Sequence, residues 1–80
     1  MKSLKVMVID DEPAIRQIVA TNLQKAGYDV LQAQNGQEAF DRLARGDVQV
    51  AICDIRMPDI DGIELVRRAL AAGIDTNFII

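Results

Sequence analysis

Eighty residues, half of them apolar, fit one domain with a modest core and leave little room for a second. No apolar run approaches the roughly 18 to 20 residues needed to cross a bilayer, and Met1-Lys2-Ser3-Leu4-Lys5 leads straight into a strand, so a cytoplasmic protein without membrane attachment is expected. Nine basic against twelve acidic residues, net charge -3, supply no basic stripe for a nucleic-acid backbone, while one cysteine and no histidine remove intramolecular disulfides, Cys/His zinc sites and Ser-His or Cys-His catalysis.

Leu4 to Ile9 is a near-continuous apolar run, the pattern of a strand buried on both faces, and it ends on Asp10-Asp11-Glu12. Pro13 suits a first helical turn, and Ile15, Ile18, Val19, Leu23 and Ala26 recur at helical spacing, which predicts a helix over 13–26 with a stop at Gly27. Tyr28 to Ala33 is a more polar strand, carrying Asp29 and Gln32, and belongs at a sheet edge. Asn35-Gly36-Gln37-Glu38 opens a second helix with a cap residue and a Glu three positions on; Ala39, Phe40, Leu43 and Ala44 continue it towards Gly46.

Val48 to Cys53 is a second central strand, and it stops on the carboxylate of Asp54. A loop over 55–61 leads to Asp61-Gly62-Ile63-Glu64, another cap with Glu three residues later, so Asp61 reads as a cap and not as a ligand. The third helix carries Ile63, Leu65, Val66, Ala69 and Leu70, with Arg67 and Arg68 as a solvated face, and stops at Gly73; Asn77 to Ile80 begins a fourth strand. The order β-α-β-α-β-α-β with short turns implies right-handed crossovers and an open, doubly wound parallel α/β sheet.

In such a sheet, ligands bind beyond the carboxyl ends of the strands, where this chain places Asp10, Asp11 and Asp54. If the first and third strands are neighbours, about 4.8 Å apart, all three carboxylates come within reach of one ion. Mg²⁺ takes oxygen ligands, usually one or two carboxylates, and completes its shell with water and phosphate oxygens. The crowded carboxylates would repel one another without it. The same ion would neutralise an incoming phosphoryl group, so one Asp could act as a nucleophile and form an acyl phosphate. The competing reading of Asp10 and Asp11 is helix-start capping with a favourable dipole interaction. Glu12 reads as a solvated neighbour, and Cys53 as a small core residue.

Val8-Ile9-Asp10-Asp11-Glu12-Pro13, then Asp54-Ile55-Arg56-Met57-Pro58 with Gly62 four residues on, resembles the receiver domain of two-component response regulators, from the first strand to Ile80. The resemblance implies a flavodoxin-like sheet of order 2-1-3-4. It makes Asp54 the phosphoacceptor for a histidine kinase and Asp11 a direct Mg²⁺ ligand. Asp10 would contribute directly or through water, and the Arg56 backbone carbonyl would be a further ligand. Pro58 would shape the loop, and Gly62 would let the third helix start close to the site. The chain does not reach the Ser or Thr and the Lys that receivers carry at the ends of the fourth and fifth strands, nor the final helices, so residues 1–80 read as a truncated receiver with impaired phosphorylation. Lys5 cannot substitute, because it lies roughly 16 Å from Asp10 towards the other end of the strand; Lys2 is no nearer. The exposed edge at 77–80 suggests a homo-oligomer. Two alternatives accompany this reading. One is a non-phosphorylatable truncated receiver acting as a structural or self-associating module. The other, a haloacid dehalogenase type phosphohydrolase, would need Asp-x-Asp where this chain has Asp10-Asp11.

Overall fold

A computed structural model describes residues 4–80, so Lys2 lies outside the described residues. Four strands, β1 (Lys5–Ile9), β2 (Asp29–Ala33), β3 (Val50–Cys53) and β4 (Asn77–Ile79), alternate with α1 (Pro13–Lys25), α2 (Gly36–Leu43) and α3 (Gly62–Ala71). The strands form one parallel sheet in the order β2-β1-β3-β4. The two most apolar strands therefore sit in the middle, and the polar strand β2 lies at an edge. Register Ile9↔Ala33 and Ile9↔Cys53 brings the carboxyl ends of β1, β2 and β3 level.

Because side chains alternate across a strand, Met7, Ile9, Ala33, Ala51 and Cys53 share one face, where they pack with Ala39 and Leu43 of α2, Leu65 of α3, and Val48 and Ile60. That is the core. Val6 and Val8 are buried on the opposite face, and α1 lies against β1 and β2.

The sheet-facing side of α1 runs through Arg16, Val19, Ala20 and Leu23, with Ala20 fully buried. Ile15 and Ile18, whose spacing helped predict the helix, are 47% and 62% exposed. Helical periodicity is satisfied by either flank of an apolar stripe, and only one flank meets the sheet. Val48 is buried but precedes β3, and α2 ends at Leu43, two residues short of Arg45, whose N–H bonds to the Arg42 carbonyl in a turn. On α3, Arg68 and Arg67 both pair with Glu64, at 3.1 and 3.5 Å, on the solvated face.

Both expected caps form. The Asn35 side chain accepts from the Glu38 N–H at 2.8 Å, and Asp61 accepts from the Glu64 N–H at 2.8 Å. Each satisfies one of the otherwise orphaned amides of a helix N-terminus, a contribution of about 1 kcal/mol.

Candidate functional site

Asp10 and Asp54 are the first residues past adjacent parallel strands. The Asp54 N–H bonds to the Ile9 carbonyl at 3.0 Å, and the Asp10 N–H to the Ala33 carbonyl at 3.1 Å, so both backbones are still held by the sheet when their side chains leave it. One carboxylate oxygen from each of Asp10, Asp11 and Asp54 lies within 4.8 Å of the others. Asp10 is half-buried; Asp11 and Asp54 are exposed.

Neither acid of the first strand end caps α1. The N-cap is Glu12, its side chain makes no capping hydrogen bond, and the first turn carries no acidic residue. Asp10 Oδ1 instead accepts the Glu12 N–H at 2.9 Å, and the Asp10 carbonyl accepts from Arg16 Nη1 at 2.8 Å, which braces the turn that presents Asp11. Among the described residues, the one hydrogen bond to the Asp54 carboxylate comes from the Arg56 N–H, at 3.3 Å. Lys5 uses its ammonium on Asp47, 3.0 Å away, at the amino end of β1, far from the acids as its sequence position implies.

The spacing suits a hard octahedral cation. With metal–oxygen distances of about 2.1 Å, adjacent ligands lie about 3 Å apart and opposite ones about 4.2 Å. Because at most one pair among three ligands can be opposite, a spread of up to 4.8 Å reaches that geometry if pairs of side chains close by up to about 1.8 Å or one binds through water. A shallow cleft lined by Asp11, Ile55, Arg56, Met57, Pro58 and Asp61 opens beside the acids, so Arg56 is on its wall.

Two glycines permit close approach around this loop. A Cβ on Gly62 would sit 2.8 Å from the Asp54 carbonyl oxygen and 3.1 Å from Ile55 Cα, and the Gly62 N–H bonds to the Ile55 carbonyl at 2.8 Å. Helix α3 therefore starts directly against the backbone of Asp54. A Cβ on Gly36 would meet Ile60 Cβ and O at 2.8 Å, so α2 starts against the far side of the same loop. Asp59 makes that second junction polar: its two carboxylate oxygens accept the Gly36 and Gln37 N–H groups at 3.1 and 2.9 Å. Partial burial pushes the Asp59 carboxyl up, but the Gln37, Ile60 and Gly36 N–H groups outweigh it and hold the group below its ordinary value. Sequence reasoning gave Asp59 no role, since its partners lie on another helix and no local pattern announces them.

Cys53, under Asp54, is buried, and its Sγ lies 3.2 Å from the Asp54 carbonyl oxygen. Burial first, then the charges of Asp54, Asp10 and Asp61, push its thiol up to about 11. It is a core group, as expected.

Residues 6–80 match the profile of the response regulator receiver domain. The chain is 40% identical over 70 residues to the chemotaxis protein CheY1 of Helicobacter pylori, covering 85% of this chain and 56% of that protein. It thus spans little more than half that relative's length. Its fold superposes with TM-score 0.89 on the response regulator TrrA of Thermotoga maritima, solved in complex with Mg²⁺-BeF, at 35% identity over 96% of this chain and 67% of that one. A second structure contains TrrA in complex with the histidine kinase ThkA; it matches with TM-score 0.85 and 35% identity over 94% of this chain and 65% of that one.

Proposed function

The chain belongs to the response regulator receiver domain family, and from that premise we propose that it accepts a phosphoryl group on Asp54 from the phosphohistidine of a histidine kinase, as a cytoplasmic switching module and not as an enzyme. The observation that carries this reading is the convergence of three carboxylate oxygens within 4.8 Å at the ends of adjacent parallel strands. In this reading, an Asp54 carboxylate oxygen attacks phosphorus, the N–P bond of the donor breaks, and an acyl phosphate remains on Asp54. Asp10, Asp11, Asp54 and the Arg56 carbonyl would hold Mg²⁺, whose charge would offset that of the incoming phosphoryl oxygens. The Arg56 N–H, already on Asp54 at 3.3 Å, orients the carboxylate. The mimic-bound relative and the kinase-bound relative support the ion and the donor class.

The test is reaction with acetyl phosphate, and binding of beryllium fluoride, each with and without Mg²⁺. Intact mass should rise by one phosphoryl group in a Mg²⁺-dependent manner in the wild type and stay unchanged in Asp54→Asn. An Asp54→Asn protein that binds beryllium fluoride as well as the wild type would overturn the assignment.

A specific observation favours a second role, self-association. β4 is an edge strand of the described sheet with Ile79 55% exposed, next to an apolar groove between α1 and the sheet that Leu4, Leu23, Tyr28 and Ile52 line. Such an edge templates pairing with a second chain. Light scattering across a concentration series should show mass rising above the monomer; a constant monomer mass at high concentration rejects it.

A further inference from the structure

The loop from Ile55 to Asp61 is tied down at three places. At its start the Arg56 N–H bonds to Asp54, and at its end the Gly62 N–H bonds to the Ile55 carbonyl. Between them Asp59 bridges to α2 through the Gly36 and Gln37 N–H groups, and Ile60, 7% exposed, packs against Gly36 where no side chain intervenes. The first two ties are short-range and would leave the middle of the loop free to pivot. The third joins it to a helix that is itself fixed in the core by the buried side chains of Ala39 and Leu43.

Arg56, whose carbonyl the proposed site needs, lies on the stretch between these anchors. A carbonyl dipole is a useful ligand only if its direction is held, and groups outside the coordination shell commonly do that holding. We propose that Asp59 is a positioning residue for the metal site: by clamping the loop to the start of α2 it holds the Arg56 carbonyl facing Asp10, Asp11 and Asp54. It touches neither ion nor phosphoryl group. The clamp has a corollary that capping alone lacks. If loop position and α2 are joined, occupation of the acidic site reaches the Gly36 and Gln37 amides across the loop, and the coupling is reciprocal. This inference rests on the metal reading of Asp54 and its neighbours, and it adds a residue to which neither sequence pattern nor ligand geometry points.

The experiment uses the full chain, with Mg²⁺ alone and then Mg²⁺ with beryllium fluoride as probes, read by calorimetry and by amide NMR. Asp59→Ala should weaken Mg²⁺ binding about ten-fold, the usual scale for an outer-shell partner, with far-UV circular dichroism unchanged. Asp59→Asn keeps one acceptor oxygen but turns an amide donor towards a backbone N–H, so it should fall between, about three-fold. In the wild type the Gly36 and Gln37 amide resonances should move when the site fills; in Asp59→Ala they should not. Wild-type Mg²⁺ affinity in both variants, with faster amide exchange at Gln37, would reduce Asp59 to a cap on α2 and overturn the inference. If the wild type itself shows no Mg²⁺ affinity, the metal reading of the acidic site falls, and the clamp to it falls as well.

Discussion

Asp11→Asn tests the acidic site most directly, because among the described residues the Asp11 side chain makes no hydrogen bond that the change would break. Three carboxylates converge within 4.8 Å, so neutralising one removes two repulsive pairs. Taking that spacing as the charge separation and the dielectric of water, as befits exposed groups, each pair costs about 0.9 kcal/mol at low ionic strength. The variant should therefore be more stable than the wild type by about 1 to 2 kcal/mol in chelator, which for a domain of this size raises Tm by roughly 5 °C or more. The gain should shrink sharply in 1 M salt, where the screening length is about 3 Å. Adding Mg²⁺ reverses the order. At about one hundred times its dissociation constant, the ion should stabilise the wild type by about 2.7 kcal/mol, more than the variant's gain in chelator, and the variant by much less. Neutralising Asp54 in the Asp11→Asn background then removes only one remaining pair, so its gain should be about half the first. The assay is thermal unfolding of both proteins in chelator and in Mg²⁺, at low and high salt. A wild-type protein that outlasts Asp11→Asn in chelator, or an equal Mg²⁺ response in the two, would refute the argument.

Leu65→Ala, at a fully buried position of α3, should cost about 2 to 5 kcal/mol in denaturant unfolding, whereas Ile18→Ala on the uncovered flank of α1 should stay within about 0.5 kcal/mol. Cys53, buried and with its thiol raised to about 11, should react with a disulfide reagent at pH 8 only at the rate of unfolding; prompt stoichiometric reaction of the native protein would contradict its placement. Asp47 is held well below the usual carboxylate range by hydrogen bonds from Arg42 and then Lys5. Because the folded value is the lower one, its contribution is present above the unfolded pKa of about 3.9 and is lost as pH falls through the folded value. Asp47→Asn should accordingly lower Tm slightly at pH 7 and flatten the decline of Tm with acid, and a Tm penalty that grows on acidification would be the wrong sign.

What could be read in advance divides along the range of the interaction. The caps at Asn35 and Asp61 and the acidic strand ends were legible because each depends on residues within a few positions, and β2 was legible as an edge because Asp29 and Gln32 cannot both be buried. The strand order came from the likeness of Asp10-Asp11 and Asp54-x-x-Met57-Pro58 to a known family, not from periodicity, since several topologies satisfy the same alternation. The exposure of Ile15 and Ile18 is not legible, because a stripe wider than its contact does not say which margin is covered. Asp59 is not legible for a plainer reason: an exposed Asp in a loop looks the same whether it faces water or the amides of the helix that precedes β3.

The pairing of Ile9 with Cys53 has a consequence for how the domain assembles. Asp10 and Asp11 stand at one end of two consecutive crossover units and Asp54 at the other, so the set is complete only once β3 has docked beside β1 in parallel. Such distant pairing carries a large loop-closure cost and tends to be slow. Until that step is over, a divalent ion finds only the Asp10-Asp11 pair, without Asp54. It should therefore act as a lock closed after the event, prolonging the lifetime of the native state while leaving the rate of reaching it nearly unchanged.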